Sequence, residues 1–332
     1  MNENPVAKPL ISIVIPVKNG ADTLCSCLDG IFRQSLRDKI EVIVIDSGST
    51  DGTLELLKKY PVRVHHLPPE EFNHGETRNL GIRLAHGEFV VMTVQDATPA
   101  TGNWLEIMHE HFSDAAVIGV CGQQIVGHDS DKNPLQWFSP AGEAKPEKIV
   151  FPDPSQFTGL TGKKQHDFCN WDDVNAMYRK SAKDKIPFRQ LMFSEDTLWA
   201  KDALSQGQTL VYDYRARVYH YHHQNFKFYF KRTYIILYQN YKFYDYIKFP
   251  KNPVIQVPQI IVRMIRKNLP LGERIKWISY NLKLVTAAWS AAFIFLLNAR
   301  FRGMQGVESS QKYFVGYPPQ GVQSKLKQKN DD

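Results

Sequence analysis

Cysteine is scarce in this 332-residue chain: there are four, at positions 25, 27, 121 and 169. Their spacing matches neither a paired CxxC zinc site nor a dense disulfide framework, so a reducing cytoplasm is the simplest expected compartment. Long apolar runs are lacking as well. The first, Ile11 to Val17, covers seven residues and ends at Lys18, which reads as a strand and not as a signal peptide. A later one, Leu284 to Leu297, covers fourteen mostly apolar residues, short of the roughly 20 that a bilayer-spanning helix needs. No internal repeat is found, so a solenoid is not expected. Acidic residues are sparse at one end only. Residues 1–225 hold 23 Lys and Arg against 29 Asp and Glu, a net of −6, whereas residues 226–332 hold 18 against 5, a net of +13. An acidic front can supply carboxylates for a metal and a base, while a basic, aromatic tail suits a polyanionic surface.

What is present is a chain with 43% hydrophobic and 23% charged residues, long enough for one large α/β domain with an appendage or for two ordinary domains. Strands are predicted at Ile11–Pro16, Glu41–Asp46, Val62–His66 and Phe89–Val94. Helices are predicted between them at Ala21–Phe32, Thr53–Tyr60 and Thr77–Ala85. This βαβαβαβ series implies a parallel sheet with helices on both faces, in which ligands bind beyond the carboxyl ends of the strands. A helix at Asn103–Phe112 and a strand at Ala116–Cys121 follow. Gly127–Gly162 then reads as a long loop region rich in Pro, Gly, Ser and Asp, of the kind that forms a functional lid or a binding loop. Further elements are predicted at Val174–Tyr178, Asp196–Gln206, Leu210–Tyr212 and Arg217–Tyr221. From Phe226 the composition turns to Phe, Tyr, Lys and Arg, and this region either packs on the α/β domain or lies on a membrane surface. The stretch from Gly316 is expected to be disordered.

Residues just past the strand ends are the chemical candidates. Asp46 stands at the end of the second strand, where a carboxylate can accept hydrogen bonds from a base or ribose. Asp51 either joins it or caps the next helix. Arg78 lies near a helix N-terminus, where amides, dipole and guanidinium together would receive a diphosphate. Asp96 follows the fourth strand and can hold a hard divalent cation. Glu195 and Asp196 open a helix, where they either complement its dipole or supply a general base. His220 and His222 alternate at a strand end, so both can approach one metal or phosphate.

In the order Phe72-Asn-His-Gly-Glu-Thr-Arg-Asn-Leu-Gly81, Gln95-Asp-Ala97, Ser194-Glu-Asp-Thr-Leu-Trp-Ala-Lys201 and His220-Tyr-His222, these segments resemble the inverting glycosyltransferases of family 2. Within that family they are closest to bacterial polysaccharide rhamnosyltransferases. The resemblance covers about residues 10–225 and implies a GT-A fold, a Rossmann-like, mostly parallel α/β sheet, followed by a helical, basic, aromatic-rich region over 226–315 and a tail over 316–332. It implies a nucleotide-sugar site built from Pro16, Val17, Asn19, Asp46, Ser47, Asp51, Arg78, Gln95 and Asp96. Asp196 would be the catalytic base, with Glu195 on the acceptor. Mg²⁺ or Mn²⁺ would be held by Asp96 with His220 or His222. The metal motif keeps only Asp96 between Gln95 and Ala97, where the family usually has two or three acids. The implied donor is dTDP-β-L-rhamnose, with a UDP-hexose or UDP-HexNAc as the alternative, and the implied acceptor is a growing, lipid-linked glycan. The expected location is cytoplasmic, peripheral at the inner membrane face, without a nucleic-acid partner. A non-catalytic glycan-assembly protein on the same fold is the reading from another class.

Overall fold

The computed structural model describes residues 8–140, 145–191 and 193–315. It divides into two compact units, Met1–Ile125 with Pro140–His220, and Val126–Ser139 with Tyr221–Asp332.

The first unit is built on one sheet of β1 (Ile11–Val17), β2 (Ile40–Asp46), β3 (Arg63–His66), β4 (Phe89–Thr93), β5 (Thr98–Pro99), β6 (Val117–Ile125), β7 (Glu147–Ile149), β8 (Asn175–Arg179) and β9 (Thr209–Tyr219). Their spatial order is β3-β2-β1-β4-β8-β6-β9-β5, with β7 on β9. β1, β2 and β4 are nearly continuous apolar runs because they are covered on both faces. Ile11, Ile13 and Ile15 pack with Leu28, Ile31 and Trp104 on one side. On the other side the helix His74–Leu84 lies so close that a Cβ on Gly81 would meet Val14 Cγ1 at 2.3 Å.

Strand direction decides where the site lies. β3, β2, β1 and β4 are parallel, β8 runs antiparallel between β4 and β6, and β9 returns parallel to β6. One edge of the sheet therefore collects the carboxyl ends of β1, β2, β4, β6 and β9 and the amino end of β8. Trp104 Nε1 donates to Asn175 Oδ1 (2.8 Å), and Asn175 Nδ2 donates to Ala216 O (2.8 Å), tying β8 to β9. Gly122 makes room for this bridge, since a Cβ there would lie 2.3 Å from the Asn175 amide and 2.2 Å from Ala216 O.

Several sequence expectations are corrected. The Gly127–Gly162 segment is not a single loop: Val126–Ser139 joins the second unit, and β7 and the helix Pro154–Thr158 follow, while residues 141–144 lie outside the described residues. The third helix starts at His74, three residues early, because the Asn73 side chain caps it by accepting from Glu76 N at 3.2 Å. The second helix stops at Leu57.

The second unit contains the helices Phe226–Tyr244, Pro253–Ile265 and Leu271–Phe314. Asn225 caps the first by accepting from Phe228 N at 2.8 Å, an interaction typically worth about 1 kcal/mol. The apolar stretch Leu284–Leu297 is the middle of the long helix, which packs against Phe226–Tyr244, and its Ala287, Ala291, Ala292 and Phe295 are buried. Tyr234 meets Phe295 at 5.7 Å between ring centroids. The long helix breaks at Gly303, which takes φ 58°, a conformation open to glycine without strain. Asn281 and Asn133 exchange hydrogen bonds of 3.1 and 2.9 Å and so bind the Val126–Ser139 segment into this unit. The expectation for residues from Gly316 falls outside the described residues.

Candidate active site

Three clusters stand at the edge where the strand ends converge. The first joins β1 and β2. Asp46 is buried at the end of β2, and its carboxylate accepts from the N–H groups of Gly48 (3.2 Å) and Ser49 (3.3 Å). Asn19, with φ 51°, accepts from Thr50 N at 2.8 Å, and its own N–H donates to Ser49 Oγ at 2.9 Å. Ser47 Oγ donates to Val17 O (3.1 Å). Pro16, Val17, Asn19, Asp46 and Ser47 are thus brought together at the ends of β1 and β2. Asp51 is engaged in structure: it accepts from Ala21 N (3.1 Å), Thr53 N (3.2 Å) and Thr53 Oγ1 (2.5 Å). Against the cost of partial burial, these bonds hold its carboxyl below the ordinary range. Gln95 likewise braces the turn after β1, accepting from Lys18 N (2.8 Å) and donating to Lys18 O (3.2 Å). One residue that sequence reading missed is His66 at the end of β3, whose Nδ1 lies 3.6 Å from Asp46 Oδ2.

The second cluster joins β4, β6 and β9. Asp96 Oδ1 lies 3.4 Å from His220 Nε2, both side chains being largely buried. β9 ends at Tyr219, so His220 stands on the extension past the strand, and His222 is the second residue of the other unit. Gln124, absent from the sequence prediction, orients the histidine. Its Nε2 donates to the carboxylate of Asp172, which fixes the amide so that Oε1 faces His220 Nδ1 at 2.6 Å. Nδ1 of a neutral His220 must then carry the proton, leaving the lone pair on Nε2, turned toward Asp96. A carboxylate oxygen and an imidazole lone pair facing each other at this distance suit a divalent cation, and the relay behind the imidazole is the usual outer support of a metal-binding histidine. The residues present therefore fit the implied metal. The only hint of Gln124 in the sequence is Gln123-Gln124 directly after an apolar run, because β6 continues four residues past the predicted end at Cys121.

The third cluster surrounds the helix Glu195–Leu204. Ser194 before it takes φ 64°; Asn19 and Ser194, two of the three non-glycine residues with positive φ among the described residues, both flank this site. Asp196, half-buried, accepts from Asp173 N (3.3 Å) and Thr197 N (2.7 Å). Burial, then the charges of Glu195, Asp173 and Asp172, push its carboxyl well above the ordinary range, as suits a base that must take a proton near neutrality. Glu195 is buried and pairs with Arg78, which also sits 3.1 Å from Asp173. Arg78, expected at a diphosphate, is itself buried, and its guanidinium is taken up by these two carboxylates, which hold it charged against burial. The Tyr178 hydroxyl donates to Asp173 and accepts from Trp171 Nε1 at 2.6 Å. Lys183, also missed, is buried over the rings of Phe188 (3.1 Å) and Trp199 (4.7 Å), where burial drives its amine well below the ordinary range.

A further grouping of possible metal ligands, Glu110, His111 and Asp213, is already balanced. His111 Nε2 lies 2.7 Å from Asp213, and Arg215 binds both Asp213 and Glu110.

Comparison with known proteins places the chain in a family. The sequence profile of Glycosyl transferase family 2 matches residues 12–186. The O-antigen chain rhamnosyltransferase WbaN of Salmonella anatum is 28% identical over 67% of this chain and 70% of its own length. The O-antigen chain rhamnosyltransferase RfbN of Salmonella typhimurium is 34% identical over 38% of this chain and 40% of its own length. Among solved structures, S. aureus TarS 1-349 superposes with a TM-score of 0.51 at 16% identity, covering 93% of this chain and 81% of that one. The mannosyltransferase PcManGT from Pyrobaculum calidifontis, solved with GDP-Man and Mn²⁺, gives 0.50 at 16% identity, covering 95% and 87%. At that identity the likeness is one of fold.

Proposed function

Because the chain belongs to glycosyl transferase family 2 and is a glycosyltransferase, we propose that it transfers L-rhamnose from dTDP-β-L-rhamnose, with inversion, to a hydroxyl of a growing lipid-linked glycan. The observation that carries the mechanism is Asp196: a carboxylate of raised proton affinity at a helix start, held by the Asp173 N–H on the same sheet edge as Asp46 and Asp96.

In this reading the nucleotide lies over β1 and β2, with Asp46 toward the base and Val17 and Asn19 lining the approach. Asp196 removes the acceptor hydroxyl proton as the oxygen attacks the anomeric carbon, and the bond to the diphosphate breaks on the opposite side. A β-configured donor thus yields an α-L-rhamnoside. Glu195, neutralised by Arg78, keeps the wall of the acceptor side rigid. Asp96 and His220 would hold Mg²⁺ or Mn²⁺, which supplies charge neutralisation for the departing diphosphate. The rhamnosyl assignment is supported by WbaN and RfbN. The basic second unit supports an anionic membrane surface as partner, and with it a cytoplasmic, peripheral location.

The test is a thermal-shift and donor-hydrolysis panel of dTDP-rhamnose, UDP-glucose, UDP-GlcNAc and GDP-mannose, with and without Mn²⁺. A ligand that binds only the folded state raises its stability. Selective stabilisation by dTDP-rhamnose, with hydrolysis lost in Asp196→Asn, is the expected result. A preference for a UDP-sugar overturns the rhamnosyl donor, and full activity in Asp196→Asn overturns the base.

A further inference from the structure

The helix Pro253–Ile265 is apolar on two sides and buries only one. Ile260 and Met264 are inside, in contact with the long helix Leu271–Phe314. Val254, Pro258, Ile261 and Ile265 recur at i, i+4, i+7 and i+11, so they form one stripe, and all four are exposed. Val254 is 79% exposed and Ile265 58%, and Ile255 and Val262 widen the stripe. Just beyond the helix, Leu271 and Ile275 are 71% and 60% exposed. Single exposed apolar residues are ordinary on a soluble protein, but a contiguous run of six on one helix is not. Of the 17 large hydrophobics that are exposed among the described residues, 13 belong to the second unit.

The charge around the stripe selects its occupant. Between Asp245 and Glu273 there is no acidic residue, while Lys248 and Lys251 lie before the helix, Arg263 in its last turn, and Arg266 and Lys267 directly after it. A second copy of this face would bring like charges together, which is unfavourable. An anionic phospholipid surface accepts both features: the aliphatic side chains enter the acyl boundary while the basic residues stay at headgroup level. We infer that Pro253–Ile265 is an in-plane membrane anchor that docks this enzyme on anionic phospholipid. The inference rests on the membrane-surface reading above and assigns it to one helix, which the sequence alone did not single out.

The experiment is vesicle co-sedimentation of the full-length protein with phosphatidylcholine alone or mixed with phosphatidylglycerol, comparing wild type with I261S/I265S. V254S/V262S serves as a second, independent pair, and donor hydrolysis in solution is the control for folding. Wild type should sediment with the anionic vesicles only, and either pair should weaken that binding tenfold or more while hydrolysis is kept. If wild type binds and both pairs bind equally well, the helix is not the anchor, although the membrane reading stands. If wild type ignores anionic vesicles, both fall. If wild type instead self-associates in size-exclusion chromatography and the variants are monomeric, the stripe is a contact between copies and the lipid assignment is overturned.

Discussion

At the scale of single residues, chemistry here depends on side chains that hold other side chains. His220 turns Nε2 toward Asp96 while its Nδ1–H donates to Gln124 Oε1, and Gln124 is oriented in turn by Asp172. Gln124→Met is therefore expected to weaken Mn²⁺ binding about 10- to 100-fold, the usual effect of losing such outer support, in a titration followed by electron paramagnetic resonance. Asp196 presents a pH signature. As the proposed base it works deprotonated, so burial and its acidic neighbours, by raising its proton affinity, should place the acid limb of the kcat/KM profile above that of an ordinary carboxylate. Glu195→Gln removes one neighbouring negative charge and leaves the Arg78 charge less balanced, so the acid limb should move to lower pH. Stability has the opposite sign. A carboxyl whose folded proton affinity is raised contributes fully below its unfolded pKa of about 4, and that contribution is lost as pH rises toward the folded value. Asp196→Asn should thus raise the melting temperature more at pH 8 than at pH 4, while cutting transfer by about 10²- to 10⁴-fold.

At the scale of elements, the helix His74–Leu84 shows how a motif can be right while its reason differs. The Arg78-Asn79-Leu80-Gly81 sequence is legible as a site-forming helix start. Its residues, however, secure the fold around the site. Asn79 exchanges 2.9 Å hydrogen bonds with the backbone of Phe188, and Gly81 brings the helix onto β1. Gly81→Ala, whose Cβ would lie 2.3 Å from Val14 Cγ1, is expected to destabilise the protein by about 1–3 kcal/mol in urea denaturation, with little change in donor KM once folded. The burial of Arg78 could not be read from sequence, because its two carboxylate partners come from residues 95 and 117 positions away.

At the scale of the whole molecule, charge is divided between an acidic front and a basic C-terminal region. Surface electrostatics of this kind are screened by salt, whereas aliphatic insertion is not. Association with anionic vesicles should accordingly weaken steeply as NaCl is raised from about 0.05 to 0.5 M, where the Debye length falls to a few ångströms. A residue of binding should persist at high salt in wild type and vanish in I261S/I265S.

The sequence by itself determined what depends on local pattern: the alternating strands and helices, the acidic residues at the end of β2 and after β4, Asp196 at a helix start, and the division of charge. These are legible because periodicity, strand ends and composition are properties of neighbours in the chain. Only the tertiary structure decided what depends on neighbours in space. It ran β8 backwards and so brought Asp173 to Asp196. It drew Gln124 behind His220, turned Arg78 inward onto Glu195, and left one stripe of the helix Pro253–Ile265 uncovered. A hydrogen-bond partner 96 residues away, or the absence of a packing partner, has no signature in a run of adjacent residues.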